Sequence, residues 1–185
     1  LVQTPSQEEI RLVFLAYASA ARVHLRIGAY TSAAEDVKKI QDITLHPPLL
    51  AEADRLAALV HLQTGRTAEA ERLLLNVVAS APEDAVDSVR AEALCDLARL
   101  YYSDGRRVTA RERLLESRTI AGTGARLALI QADVLDGALT ADEGRLAEAK
   151  ALYARAYRAA QSTGRLFELA RASNGLGIAA RHLAD

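Results

Sequence analysis

Apolar residues along this chain recur at helical rather than alternating spacing, as in residues 51–63, where Leu56, Ala57, Val60 and Leu62 lie in one run. A second such run, residues 68–79, follows a short polar break at Gly65. The order of run, glycine and run returns four times. Gly28-Ala-Tyr-Thr-Ser-Ala, Gly65-Arg-Thr-Ala-Glu-Ala, Gly105-Arg-Arg-Val-Thr-Ala and Gly144-Arg-Leu-Ala-Glu-Ala have glycines 37, 40 and 39 residues apart. Five residues after each glycine stands an alanine (Ala33, Ala70, Ala110, Ala149), and nine after it a larger residue (Val37, Leu74, Leu114, Tyr153). Seven residues before it stands a tiny one: Ala21, Ala58, Ala98 or Gly137. A fixed period of this kind marks repeated supersecondary units.

Each conserved spacing has a physical reason. Glycine adopts the left-handed backbone that ends a helix at low cost, so each glycine is predicted to be the turn of an antiparallel helical hairpin. The small residues flanking the turn let the two backbones approach closely, where a bulkier side chain would overpack the contact by roughly 1–3 kcal/mol. Punctuation between hairpins agrees. Pro47-Pro48 suits the first turn of a helix, where no donor is needed, and Pro82, Glu83 and Asp84 close one unit and cap the next. Gly122-Thr-Gly124 and Ser162-Thr-Gly164 separate the later units, and Thr4-Pro5-Ser6-Gln7, with Ser6 and Glu9, offers a capping box at the start. The predicted units are 6–45, 48–82, 84–121 and 124–163, with a final helix over 166–183, giving nine helices in one domain spanning 1–185.

The tiny residue, the turn glycine, the alanine, the large residue nine later and Pro82, seventeen residues after Gly65, together resemble the tetratricopeptide repeat family over nearly the whole chain. The period exceeds that family's usual length of about 34 residues. In this the chain is similar to the long repeats of large bacterial transcriptional regulators of the maltose-activator type. The family's first-helix aromatic is kept as Tyr17 alone, with Asp54, Leu94 and Asp133 in its place later. The resemblance implies an all-α, right-handed superhelical solenoid of about four antiparallel hairpins plus one C-terminal helix, with the first helices on the concave face. It also implies which residues face that groove. They include Arg22, Arg26, Arg55, Gln63, Arg99, Tyr102, Arg171, Asn174 and Arg181, together with Glu52, Cys95, Gln131, Val134, Ala138 and Ile178.

Composition narrows the function without naming a ligand. Half of the 185 residues are hydrophobic but only 4% aromatic, and 23 basic residues face 24 acidic ones. No apolar run approaches the roughly 20 residues that span a bilayer, and a pI near 6.5 argues against direct nucleic-acid binding. Glu8 and Glu9 precede the apolar stretch 12–21 where a secretory signal needs positive charge. The single cysteine, Cys95, offers no internal disulfide, so a cytoplasmic setting is the expectation. The absence of methionine suggests a piece of a larger product.

No motif supports catalysis, a metal or a cofactor. The phosphate loop, H-E-x-x-H, C-x-x-C and G-x-S-x-G patterns are all absent. Gly175-Leu-Gly177-Ile-Ala-Ala180 imitates a dinucleotide fingerprint, but residues 168–174 read as helix where that motif needs a strand. Gly177 is instead expected to be the tiny residue before a turn. His24 and His61 lie four residues before their turn glycines, where the third unit has Tyr101, which predicts half-buried packing roles. Cys95 is expected to be a small packing residue near the groove.

What remains is a non-enzymatic binding module. Guanidinium forks match carboxylates and phosphates, so an acidic protein or peptide segment is the expected partner of the groove arginines. Lysine occurs only at Lys38, Lys39 and Lys150, however, so arginine is also the general cation of this chain. The alternative is an effector-sensing or assembly domain of a bacterial transcriptional regulator that binds a small molecule. The final helix lacks a hairpin partner, and an exposed Leu176, Ile178, Ala179 and Leu183 would either cap the solenoid or join a second copy.

Overall fold

A computed structural model describes residues 6–43, 47–80 and 87–184. Among them are nine α-helices and no strand: α1 (Gln7–Arg26), α2 (Tyr30–Gln41), α3 (Pro47–Gln63), α4 (Thr67–Ser80), α5 (Asp87–Ser103), α6 (Arg107–Ala121), α7 (Arg126–Asp142), α8 (Leu146–Ser162) and α9 (Leu166–His182). Pro47 opens α3. The expected signals at Thr4, Pro5, Pro82, Glu83 and Asp84, like His46, lie outside the described residues. No described helix is long and apolar enough to cross a membrane.

Helix ends follow from local chemistry. At α1 the Glu9 N–H donates to the Ser6 hydroxyl at 3.2 Å while the Ser6 N–H donates to the Glu9 carboxylate at 2.7 Å, closing the capping box. The hairpin turns satisfy the last carbonyls of the first helix through glycine. At Gly105 (φ 77°) the Arg106 N–H reaches back to the Tyr101 carbonyl at 2.8 Å, and the Gly105 N–H reaches the Tyr102 carbonyl at 3.0 Å. Gly144 (φ 78°) repeats this pair of bonds with Thr140 and Ala141. These are Schellman ends, whose left-handed residue is strained with any side chain. The α8–α9 junction at Gly164 is built the same way, so a junction expected only to separate units is itself a hairpin turn.

The chain divides into two compact units, Leu1–Val89 and Arg90–Asp185. In the first, α1 packs on α2 and α3 on α4, with α3 also against α1 and α2. Its core joins Phe14, Val37, Ile40, Leu56 and Val60 through Ala18, Ala21, Ala33, Ala53 and Ala57. In the second, α6 packs on α7, α7 on α8, and α9 on both α7 and α8. The four alanines that follow the turns are all buried, as are Val37, Leu74, Leu114 and Tyr153.

Tiny residues sit at the helix crossings, with two departures. Ala21, Ala58 and Ala98 are fully buried. Gly137 is buried beneath the Tyr153 ring, which a Cβ there would approach at 2.9 Å. Gly177 is exposed and a Cβ on it would meet nothing; the glycine of α9 in close contact is Gly175, where a Cβ would fall 2.3 Å from the same ring. The dinucleotide-like glycines thus lie within a helix, and one of them makes room for an aromatic. The expected exposure of Ala179 is also corrected. Ala172, Gly175 and Ala179 share one face by helical spacing and are buried, Leu176 is half-buried, and Ile178 and Leu183 are exposed.

Candidate functional site

Seven of the expected groove residues line one cavity of about 250 Å³ in the second unit. From α5 come Arg99 and Tyr102, one turn apart, and from α9 come Arg171, Asn174, Gly175 and Ile178, which helical spacing places on one face. Val134, Leu135 and Ala138 of α7 form an apolar wall, and Tyr153 of α8 closes the cavity between Gly137 and Gly175.

The polar groups are arranged with donors in excess. Arg99 pairs with the almost fully buried Asp96 at 3.3 Å, while its Nε is buried with no hydrogen-bond partner among the described residues. Arg171 is half-buried, and burial, reinforced by the nearby Arg99 charge, pulls its pKa below the usual arginine value. Tyr102 donates to Asp142 at 3.0 Å, and Arg107 holds the same carboxylate at 3.1 Å. Burial raises the pKa of Tyr102, with the Asp142 bond adding to it, and burial raises that of Tyr153. Both phenols therefore stay protonated as hydrogen-bond donors near neutral pH. Two guanidiniums held close together in a half-enclosed site have no structural partner in each other, and they match an acceptor-rich anion.

The remaining predicted residues are placed differently. In the first unit Arg22 and Arg55 both converge on Glu52, Arg55 at 3.6 Å, and Arg55 and Glu52 are buried. This corrects the assignment of Arg55 and Glu52 to an open groove face, since both are buried in α3, whereas Arg22 stays exposed and reaches Glu52 from α1. Gln63 and Arg26 are exposed at the ends of α3 and α1, and Arg181 is exposed in the last turn of α9 outside the cavity lining. Cys95, projected onto the groove, points into the interior, with its sulfur 3.2 Å from the Ser117 hydroxyl and 3.3 Å from the Ala128 carbonyl. Gln131 is buried as well.

Other charged clusters are internally matched. Asp133 accepts from Arg155 of α8 at 2.6 Å and from Arg118 of α6 at 3.0 Å, and Asp136 accepts from Arg118 and Arg111. This network ties α6, α7 and α8 together and explains why an acid can stand where the first repeat has Tyr17. His24 bonds Asp36 at 2.7 Å, and His61 is half-buried, in keeping with packing roles. Among the described residues no three His, Cys, Asp or Glu side chains gather as metal ligands.

Sequence reasoning missed Tyr153, Leu135 and Gly175 as cavity residues. A signal for Tyr153 was present. At its repeat position the other units carry Val37, Leu74 and Leu114, and only in its unit does glycine, Gly137, replace the alanine seven before the turn. The ring and the space for it are a coupled departure from the repeat. Compared with protein-family models, curated proteins and solved structures, the chain matches none of them.

Proposed function

We propose that the chain is a non-enzymatic, cytoplasmic binding module of tetratricopeptide-like hairpins, stacked as a right-handed solenoid, that holds an acidic protein or peptide segment. The observation that supports this most is the convergence of Arg99, Tyr102, Arg171 and Asn174 from two helices on one cavity with more donors than acceptors. A peptide array of acidic segments, with amide versions as controls, tests it. Acidic segments are expected to bind, to weaken as salt screens the guanidiniums, and to be lost with Arg99→Glu. Equal capture of acid and amide peptides, or undiminished binding by Arg99→Glu, refutes the assignment.

A second function, sensing of a small effector in a bacterial transcriptional regulator, is favoured by the size of the same cavity. At about 250 Å³ it suits an effector smaller than the drug-sized ligands whose sites begin at ~300 Å³. An effector at a hundredfold excess over its Kd would stabilise the protein by about 2.7 kcal/mol. A metabolite panel that leaves the melting temperature unmoved counts against this function.

A further inference from the structure

We propose that the cavity between α5, α7, α8 and α9 receives a small monocarboxylate on an apolar stem, its carboxylate between Arg99 and Arg171 and its stem against Val134, Ala138 and Ile178. This rests on the effector function above and gives the effector a chemical class.

Three observations converge on that class. First, the polar lining donates. The Arg99 Nε has no hydrogen-bond partner, and Arg171, Asn174 and the Tyr153 hydroxyl make no hydrogen bond or ion pair among the described residues. Of the nearby acceptors, Asp96 and Asp142 are held by Arg99, Tyr102 and Arg107, and the buried Glu168 acts on Arg171 through its charge. A cationic or purely donating ligand would leave the Arg99 Nε unmatched, at the cost that a buried unpaired donor carries.

Second, the charge balance selects a single negative charge. Arg99 and Arg171 are both offset by carboxylates acting on the same spot, Asp96 and Glu168. A monoanion adds one charge to a balanced site and gains two guanidinium forks. A phosphate dianion would add two, against two carboxylates already in place, and the like-charge repulsion in a poorly solvated site opposes it. Third, the cavity is amphipathic and small. Its other wall is aliphatic, and its volume of about 250 Å³ equals the share of roughly eight water molecules. A short aliphatic or aromatic acid fits that volume with its apolar end removed from water.

Isothermal titration calorimetry of the full chain with hexanoate, phenylacetate, hexanol and hexyl phosphate tests the inference. Both carboxylates are expected to bind, with hexanol and hexyl phosphate at least about tenfold weaker, and Arg171→Gln is expected to lose at least about tenfold in carboxylate affinity. Ala138→Leu keeps both guanidiniums and narrows the cavity, and is expected to abolish binding as well; it carries the test should Arg171→Gln fail to fold. Failure of both carboxylates to bind, hexyl phosphate binding more tightly than hexanoate, or either folded variant binding like the wild type overturns the proposal. An acidic peptide that displaces hexanoate places the carboxylate on a protein side chain, and one that does not leaves the free acid as occupant; the recognition chemistry stands in both cases. A melting shift by a metabolite of another class, with both carboxylates inert, overturns this inference and leaves the effector function standing. No shift with any small molecule removes that function itself.

Discussion

Two pairs of arginines, one in each compact unit, are used in opposite ways. In the first, Arg22 and Arg55 approach Glu52 from different helices, and the charges are matched within the protein. In the second, Arg99 is matched by Asp96 through one end of its guanidinium, and Arg171 stands half-buried beside it, offset by the charge of Glu168 but with no ion pair among the described residues. The same residue type, at related places in a repeated hairpin, is a structural brace in one unit and an available donor in the other. The difference arises from the residues opposite: Glu52 stands between the first pair, whereas Tyr153 and an apolar wall face the second.

One substitution made on both sides separates the two roles most widely. Arg55→Gln leaves the buried Glu52 with Arg22 alone, and removing one partner of a buried pair costs about 3–5 kcal/mol; the low end is expected because Arg22 remains. Arg171→Gln is expected to leave stability within about 1 kcal/mol of the wild type, since it removes a poorly solvated charge that faces Arg99. Chemical denaturation of the two variants checks this. Equal destabilisation by both would erase the distinction between brace and donor.

Next in size is the shape of the cavity in the second unit. Gly175→Val would drive a side chain into the Tyr153 ring, which even a Cβ approaches to 2.3 Å, and overpacking of this kind costs about 1–3 kcal/mol. Tyr153→Leu restores the residue size of the third repeat and is expected to recover much of that loss in the double variant. A double-mutant cycle with no coupling would mean that the glycine does not serve the ring.

Much of this architecture can be read along the chain because it rests on local chemistry. Gly28, Gly65, Gly105 and Gly144 announce turns through a backbone requirement that no neighbour can change, and all four have positive φ. Alanine five residues later announces a close crossing for a similar reason. The cavity was legible in part, since Arg99, Tyr102, Arg171 and Asn174 follow from position within the repeat. Whether a given arginine is matched was not. Arg22 meets Glu52 across 30 residues of sequence, and that depends on how one hairpin rests on the next. Cys95 shows the same limit: its place in the repeat projected it outward, whereas Ser117 and Ala128 on neighbouring helices draw it inside.

The smallest expected effect concerns a group in the first unit that lacks a match. Among the described residues the His61 Nδ1 is buried without a hydrogen-bond partner, and burial, with Arg66 and Arg72 nearby, lowers the pKa of the ring below the ordinary histidine value of 6.5. The folded state therefore binds fewer protons than the unfolded chain between the lowered value and 6.5, and stability falls as pH drops through that window. Above about pH 7 both states carry a neutral ring and the effect vanishes; below the folded pKa both are protonated and the loss levels off. His61→Gln is expected to flatten this part of the pH profile measured by urea titration. A profile that stays as steep would move the pH dependence elsewhere and leave the first unit with its charges matched throughout this range.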